Sequence, residues 1–310
     1  MKDIIGDPVD RRGLLKCMGW AGTGALFVMS GGVAHSISLD AAIGAPAHKG
    51  LSFVQVSDSH IGFDKAANPD ARATFREAIA KIRALPAKPD FILHTGDITH
   101  LSRDAEFADA EAMLSEAGIP VFHTPGEHDM LDEGGGKAFL ARYGKGTLGS
   151  GWYSFDAGGV HFVSLVNVAN LSPGGMGHLG DDQLAWLKRD LAGLSASTPV
   201  VVFAHMPLWT ISAEWGWGTD DSVAAMALLR RFGSVTVLNG HIHQLIQKVE
   251  GNIAFHTARS TAYPQPAPGA APSPGPLTVP SSQLHSMLGI RTASLVQGHG
   301  PIALTDSTLT

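Results

Sequence analysis

Alternation of short apolar runs with helical stretches predicts an α/β fold, a sheet covered by helices, for this 310-residue chain. Two observations carry the prediction. The runs Phe53 to Val56, Phe91 to Leu93, Val121 and Phe122, Val200 to Phe203, and Val235 to Leu238 are short and β-branched or aromatic, as buried parallel strands are. Each also ends where polar residues begin: Asp58-Ser-His60, Gly96-Asp97, Gly126-Glu-His-Asp129, His205 and Gly240-His-Ile-His243. Open α/β sheets hold their ligands at this place, outside the carboxyl ends of the strands.

Helical periodicity marks residues 71–85 and 105–117 between the first strands. Residues 151–155 and 160–166 flank Asp156-Ala-Gly-Gly159 and predict a β-hairpin. Residues 181–194 form an amphipathic helix whose opening Asp pair suits the positive end of the helix dipole. From Pro264 to Pro280 the chain carries seven prolines, which excludes a core strand or helix there. The apolar stretches 284–290 and 293–296 are expected to dock back on the domain. No internal repeat supports a solenoid.

At 44% apolar and 16% charged residues, the chain has the composition of a globular protein with a sizeable core. Its net charge of −6, and the lack of any basic run longer than a pair in its body, argue against tracking a phosphate backbone, so no nucleic-acid partner is expected. Asp10-Arg-Arg-Gly-Leu-Leu-Lys16 precedes a Gly/Ala-rich apolar stretch from 18 to 34 and resembles a twin-arginine export signal. A surface Arg pair before an anchoring helix is the alternative, but five glycines and short length fit a span poorly. Cleavage after Ala34 or after Ala47 fits equally. The single cysteine, Cys17, lies inside this signal, so a mature chain has no thiol. The expected organisation is an export signal and linker over 1–47, a catalytic domain over 48–262 and a proline-rich extension over 263–310. The expected location is the periplasm, and the expected export partner is the twin-arginine machinery.

Taken singly, the polar motifs are weak to moderate. Asp58 and His60 alternate along a backbone read as extended, placing a carboxylate and an imidazole on one side. Gly96-Asp97 is also a common turn pair. His241 and His243, two residues apart after Gly240, share one face; a solvated loop is the bland reading. His205 fits a ligand or a partly buried histidine at a strand end.

Together and in order, the five motifs resemble the calcineurin-like metallophosphoesterase superfamily, which includes class III cyclic-nucleotide phosphodiesterases, glycerophosphodiesterases and purple acid phosphatases. The resemblance spans residues 51–262, and the 152–166 hairpin and Gln183-Leu-Ala-Trp-Leu187 are similar to its phosphodiesterase branch. It implies a four-layer αββα sandwich, two mixed β-sheets flanked by helices. It further implies two divalent or trivalent metal ions (iron, manganese or zinc): one held by Asp58, His60 and His243, the other by Glu127, His205 and His241, with Asp97 bridging. The implied activity is hydrolysis of a small-molecule phosphomonoester or phosphodiester by a metal-bound hydroxide, since two cations roughly 3.5–4 Å apart hold the phosphoryl oxygen and activate water. His128 would then stabilise phosphate charge or protonate the leaving alkoxide; its alternative is a surface histidine in a tight turn.

The chain departs from the family pattern twice. Where asparagine is usual it has Glu127, a longer anion that lowers the site's net charge by one unit and, if it ligates, favours iron or manganese over zinc. If it swings away, the second site is weakened, and a non-catalytic metal-binding or scaffold protein on the same fold is the alternative function. Three residues after Asp97 stands His100, where purple acid phosphatases have a tyrosine ligand and protein phosphatases an aspartate. A purple tyrosinate centre is therefore not expected; His100 either lines the cleft or is solvated. Trp209, Trp215 and Trp217 either wall the cleft or pack peripherally. Asp64 and His178 are minor substrate-side candidates, and His94 and His123 are read as core or cleft-edge histidines. Export directs attention to phosphate scavenging or envelope-lipid turnover rather than intracellular signalling.

Overall fold

The computed structural model describes residues 25–30, 33–38, 50–295 and 302–310. Arg11, Arg12 and Ala47 lie outside the described residues. Strands β1 (Ala25–Ser30) and β2 (Val33–Ser38) pair antiparallel and belong to a small unit of their own.

The second unit, residues 51–295 with 301–310, holds two mixed sheets. In the five-stranded sheet, β3 (Leu51–Val56), β4 (Phe91–His94) and β5 (Val121–His123) run parallel. The six-stranded sheet contains β6 (Tyr153–Ala157), β7 (Val160–Ser164), β8 (Val200–Phe203), β9 (Val235–Asn239), β10 (Gln247–Glu250) and β11 (Ile253–Thr257), in the order β10-β11-β9-β8-β7-β6. Its four central strands are parallel, and the edge strands β6 and β10 are antiparallel to their neighbours. Gly158 and Gly159 both take positive φ in the β6–β7 turn, as a two-residue primed hairpin requires.

Strand pleating distributes the apolar side chains among three cores. Phe53, Phe91 and Leu93 point to Phe162, Val201 and Phe203 between the two sheets. The alternate residues Val54, Val56 and Ile92 face α1 (Ala71–Arg83) and α2 (Asp104–Ser115), meeting Phe75, Ile79 and Phe107. On the other side Val163, Val202 and Val237 meet Leu187 of α4 (Asp181–Ala192) and Leu229 of α5 (Ser222–Leu229); the short helix α3 (Lys137–Tyr143) precedes β6. This is the expected four-layer arrangement of two mixed sheets flanked by helices. Because these strands are covered on both faces, their sequences read as continuous apolar runs.

Beyond the proline-rich segment, α6 (Ser281–Met287) leads into β12 (Gly289–Leu295) and β13 (Ala303–Thr308). These two strands complete the five-stranded sheet, in the order β13-β12-β3-β4-β5. A boundary at residue 262 therefore marks a change of composition and not the end of the packed unit. Buried Arg291 of β12 fastens this end: its guanidinium donates to Asp306, to Gln55 of β3 and to the Thr257 carbonyl of β11, bridging both sheets.

His94 and His123 end neighbouring strands in register, with ring centroids 6.4 Å apart. His94 Nε2 meets Ser59 Oγ at 2.9 Å, whereas His94 Nδ1 and His123 Nε2 have no partner among the described residues. Burial pushes both imidazoles down to about 3, with His123 adding to the effect on His94. Below pH ~6.5 the unfolded chain takes up these protons first, so stability is fully present above that pH and falls as the solution is acidified toward about 3. Each histidine contributes a slope of up to about 1.4 kcal/mol per pH unit in that window. Urea midpoints measured from pH 7 to 4 should fall, and His123→Gln should flatten the dependence; a midpoint independent of pH contradicts this assignment.

Candidate metal centre

The polar motifs leave their strands through unusual backbone. Asp58, His60, Asp97, His241 and His243 all have φ between 39° and 69°, the left-handed region that costs an ordinary residue roughly 1–2 kcal/mol. Asp58 and His60 thus do not alternate along extended chain: each bends sharply beyond β3, and this turn aims both side chains inward. Cross-loop bonds hold the bend, from Asp58 N to Gly96 O at 2.9 Å and from His60 N to Asp97 O at 2.9 Å. The His241 amide likewise donates to Asp58 Oδ1 at 3.0 Å. Glu127 and His128 lie in a short 3-10 turn (Glu127–Met130), again not in extended chain. Two motif glycines follow from crowding: a Cβ on Gly126 would collide with Asp97, and one on Gly240 with Ser57 and Asp58.

All seven residues predicted as ligands lie in one cluster. Asp58, His60 and His243 offer ligand atoms within 4.8 Å of one another, as do Glu127, His205 and His241, so each trio could hold an ion. Asp97 lies between them, its Oδ2 3.4 Å from His60 Nε2 and 3.4 Å from His205 Nε2. The contacts do not read as ordinary ion pairs. Glu127 Oε2 is 2.9 Å from His205 Nε2 and Oε1 is 2.9 Å from His241 Nδ1, yet Glu127 Oε2, His205 Nε2 and His241 Nδ1 make no hydrogen bond. Asp58 Oδ2 is also buried without a partner. Such atoms are costly unless something else satisfies them. A cation placed among them does so, and three carboxylates with four imidazoles suit hard to borderline metals. Tautomers are fixed accordingly: Nδ1–H of His205 donates to Thr95 O at 2.8 Å and Nδ1–H of His243 to Tyr263 O at 2.6 Å, leaving both Nε2 lone pairs for a metal.

Electrostatics show the same demand for positive charge. Burial raises the Asp58 and Glu127 carboxyls, but neighbouring imidazoles outweigh it: His243 and His205 hold Asp58 below the usual carboxylate range, and His241 and His205 hold Glu127 well below it. Burial lowers the His205 imidazole, yet Asp97 and Glu127 overcome this and raise it well above its ordinary value. The same carboxylates would favour a metal ion at this nitrogen.

His128 stands at the mouth of the cluster. Its Nδ1–H donates to His100 O at 2.7 Å and its backbone amide to Asp97 Oδ1 at 2.9 Å, so Nε2 is free to meet a ligand. Burial opposes its charged form, but Asp97 and Glu127 outweigh that and raise its imidazole. His100 lines the cleft, stacked on His128 with centroids 5.0 Å apart. Fully buried Asp129 was left without a role by sequence reasoning. It accepts from the amides of Ile98, Thr99 and Gly126 and from the Thr99 hydroxyl, stapling the loop after β4 to the loop after β5. Burial, reinforced by Asp97, pushes its carboxyl up to about 6.

Tyr263 and Gln265 were also missed. The Tyr263 hydroxyl is 3.2 Å from His60 Nε2, and Gln265 Nε2 donates to His241 O at 2.9 Å. Nothing in the composition of a proline-rich segment signals that it returns over the cluster. Trp215 and Trp217 border the same cavity, of about 400 Å³, whereas Trp209 packs in the core against Phe255. Asp64 borders a different cavity beside Arg72 and Arg103, and His178 pairs with Asp220 at 2.8 Å, away from the cluster.

The sequence pattern of calcineurin-like phosphoesterases matches residues 51–245, which include every residue of the cluster. Purple acid phosphatase 15 of Arabidopsis thaliana is 29% identical over 136 residues, covering 40% of this chain and 24% of that protein, so the chain spans about a quarter of that relative's length. A glycerophosphodiester phosphodiesterase of Enterobacter lignolyticus is 25% identical over 206 residues, 64% of this chain and 71% of that one. The fold is similar to that of a dimetal phosphatase from Danio rerio, with a TM-score of 0.65 at 15% identity over 84% of this chain and 96% of the other. With motifs, layers and matched span in agreement, this chain belongs to the calcineurin-like phosphoesterase family, whose members generally bind two divalent metals and hydrolyse phosphoesters.

Proposed function

We propose that this protein is an exported phosphoesterase that holds two metal ions, one at Asp58, His60 and His243, the other at Glu127, His205 and His241, with Asp97 shared. The observation that carries the reading is the pair of trios beside Asp97, one buried and one partly exposed, with buried atoms that make no hydrogen bond among the described residues. When bound, the two ions supply Lewis acidity toward a phosphoryl oxygen and activate water. The protein residues do the rest. His128 presents Nε2 to the ester, its orientation set by His100 O and by its own amide bond to Asp97. Asp97 and Glu127 raise this imidazole, which favours its proton-carrying form. As the oxygen of water bonds to phosphorus and the bond to the alcohol breaks, His128 passes that proton to the departing oxygen. Relatives named as a phosphatase and as a phosphodiesterase leave both ester classes as substrates to test.

Glu127 is proposed as a working ligand that lowers the Lewis acidity of its ion and favours iron or manganese over zinc. Arg11-Arg12 and the apolar stretch after them support export by the twin-arginine route to the periplasm.

Three outcomes follow. Protein purified without added metal should contain close to two metal ions per chain by elemental analysis and hydrolyse aryl phosphate esters; His128→Ala should keep the metal and lose about 10²–10⁴-fold in kcat. Metal-loaded protein inert toward both an aryl monoester and an aryl diester would instead favour a non-catalytic protein on this fold. Glu127→Asn should lose its second ion at lower chelator concentration and shift the remaining content toward zinc; unchanged occupancy and rate would remove Glu127 from the ligand set. In cell fractionation, Arg11→Lys with Arg12→Lys should retain the protein in the cytoplasm, and undiminished export of that variant would contradict the twin-arginine route.

A further inference from the structure

The cavity beside the candidate metal cluster is bordered by four aromatic rings, of which only Tyr263 also touches the ligand set, at His60 and His243. Phe63 and Tyr263 pack with centroids 4.3 Å apart. Trp215 and Trp217 meet edge to face at 5.0 Å and 88°. All four border the same cavity as Glu127, His128 and His241. Trp217 is buried and anchors the partly exposed Trp215. The loop between them is braced by Ile211 N to Trp217 O at 2.8 Å and Trp217 N to Ser212 O at 2.9 Å, so the aromatic wall is formed in advance.

Pro274 and Pro276 border the cavity too. They are held there by Gly275 N donating to Gln265 Oε1 at 3.2 Å, and Gln265 is in turn tied to the His241 carbonyl. Prolines have no N–H to offer. Hydroxyls of a glycerol-like alcohol would therefore lose water against the two prolines and gain no backbone donor from them in return. The remaining charge on the rim is Lys65, which has no ion-pair partner among the described residues and lies close enough to His100 to act on its charge. An ammonium is attracted to the face of an aromatic ring and gains nothing comparable from a saturated one.

We propose that this cavity selects phosphate esters whose alcohol carries a planar aromatic ring, seated against the partly exposed Trp215, beside the buried Phe63–Tyr263 pair and with Lys65 at its rim. The proposal rests on the phosphoesterase reading for the position of the phosphate. Trp215 acts in it as the specificity-determining residue. Polyol esters such as glycerol phosphates are then poor ligands of this site.

The test uses full-length, metal-loaded protein and three phosphonates that cannot be hydrolysed: 2-phenylethyl-, 2-cyclohexylethyl- and 2,3-dihydroxypropylphosphonate. Binding is read by tryptophan fluorescence and calorimetry, so it does not depend on turnover. The phenylethyl compound should bind at least about fivefold tighter than either other, and Trp215→Ala should bring the three to within about twofold, with Trp215→Phe restoring most of the preference. Equal affinity of the three in the unaltered protein overturns the proposal, as does a preference untouched by Trp215→Ala. Turnover of 2-phenylethyl phosphate and glycerol phosphate separates the two readings. Aromatic preference in binding with neither ester hydrolysed contradicts the phosphoesterase reading alone; equal affinities with both hydrolysed contradict the aromatic pocket alone.

Discussion

The structure turns on a backbone constraint: five of the seven clustered candidate ligand residues sit in left-handed conformation just past the ends of buried strands. Together these residues cost several times the roughly 1–2 kcal/mol of one left-handed residue, a cost tolerated only where the surroundings over-determine it. The two sheets supply that determination. Parallel strands β3, β4, β8 and β9, packed through Phe53, Phe91, Phe162 and Phe203, end at one side of the sandwich and deliver their loops to a common place. Bonds from Asp58 N to Gly96 O and from His60 N to Asp97 O then lock adjacent loops together. Asp129 adds a third loop through four hydrogen bonds to its carboxylate.

Such rigidity gives the charge distribution its meaning. Three carboxylates gathered with four imidazoles in a buried pocket have to be compensated by protons or by metal ions. Carbonyl partners fix His205 and His243 with Nε2 directed into the cluster, and the unpartnered atoms of Asp58, Glu127, His205 and His241 converge there too. A centre held this firmly would present bound ions in one geometry, as the proposed stabilisation of a developing phosphoryl charge requires. His128 belongs to the same frame, since its amide donates to the carboxylate that lies between the two trios.

Much of this was legible in the sequence because ligands at strand ends leave a local signature, an apolar run followed by one of a few polar patterns. The motifs that hold Asp58, His60, Asp97, Glu127, His205, His241 and His243 stood out in that way, and both their reading as candidate ligands and the sandwich followed from the family those motifs resemble. The path of the chain between ligands was not legible: alternation suggests extended backbone at Asp58-Ser-His60, whereas cross-loop bonds impose a left-handed turn. Docking of the stretches 284–290 and 293–296 was expected, but the partners of long-range closure were hidden. Tyr263 reaches His60 across 203 positions of sequence, and β12 joins β3 although its sequence, with Arg291, Thr292 and Ser294, has no continuous apolar run. Sequence periodicity records which face of an element is buried, not which distant element buries it.

The cluster is proposed to hold two ions with Asp97 between them. Anomalous diffraction from crystals of the metal-loaded protein tests it most directly. The account predicts two anomalous peaks, one within coordination distance of Asp58, His60 and His243 and one of Glu127, His205 and His241, with Asp97 reaching both. A single peak, or two peaks with Asp97 touching neither, would contradict it.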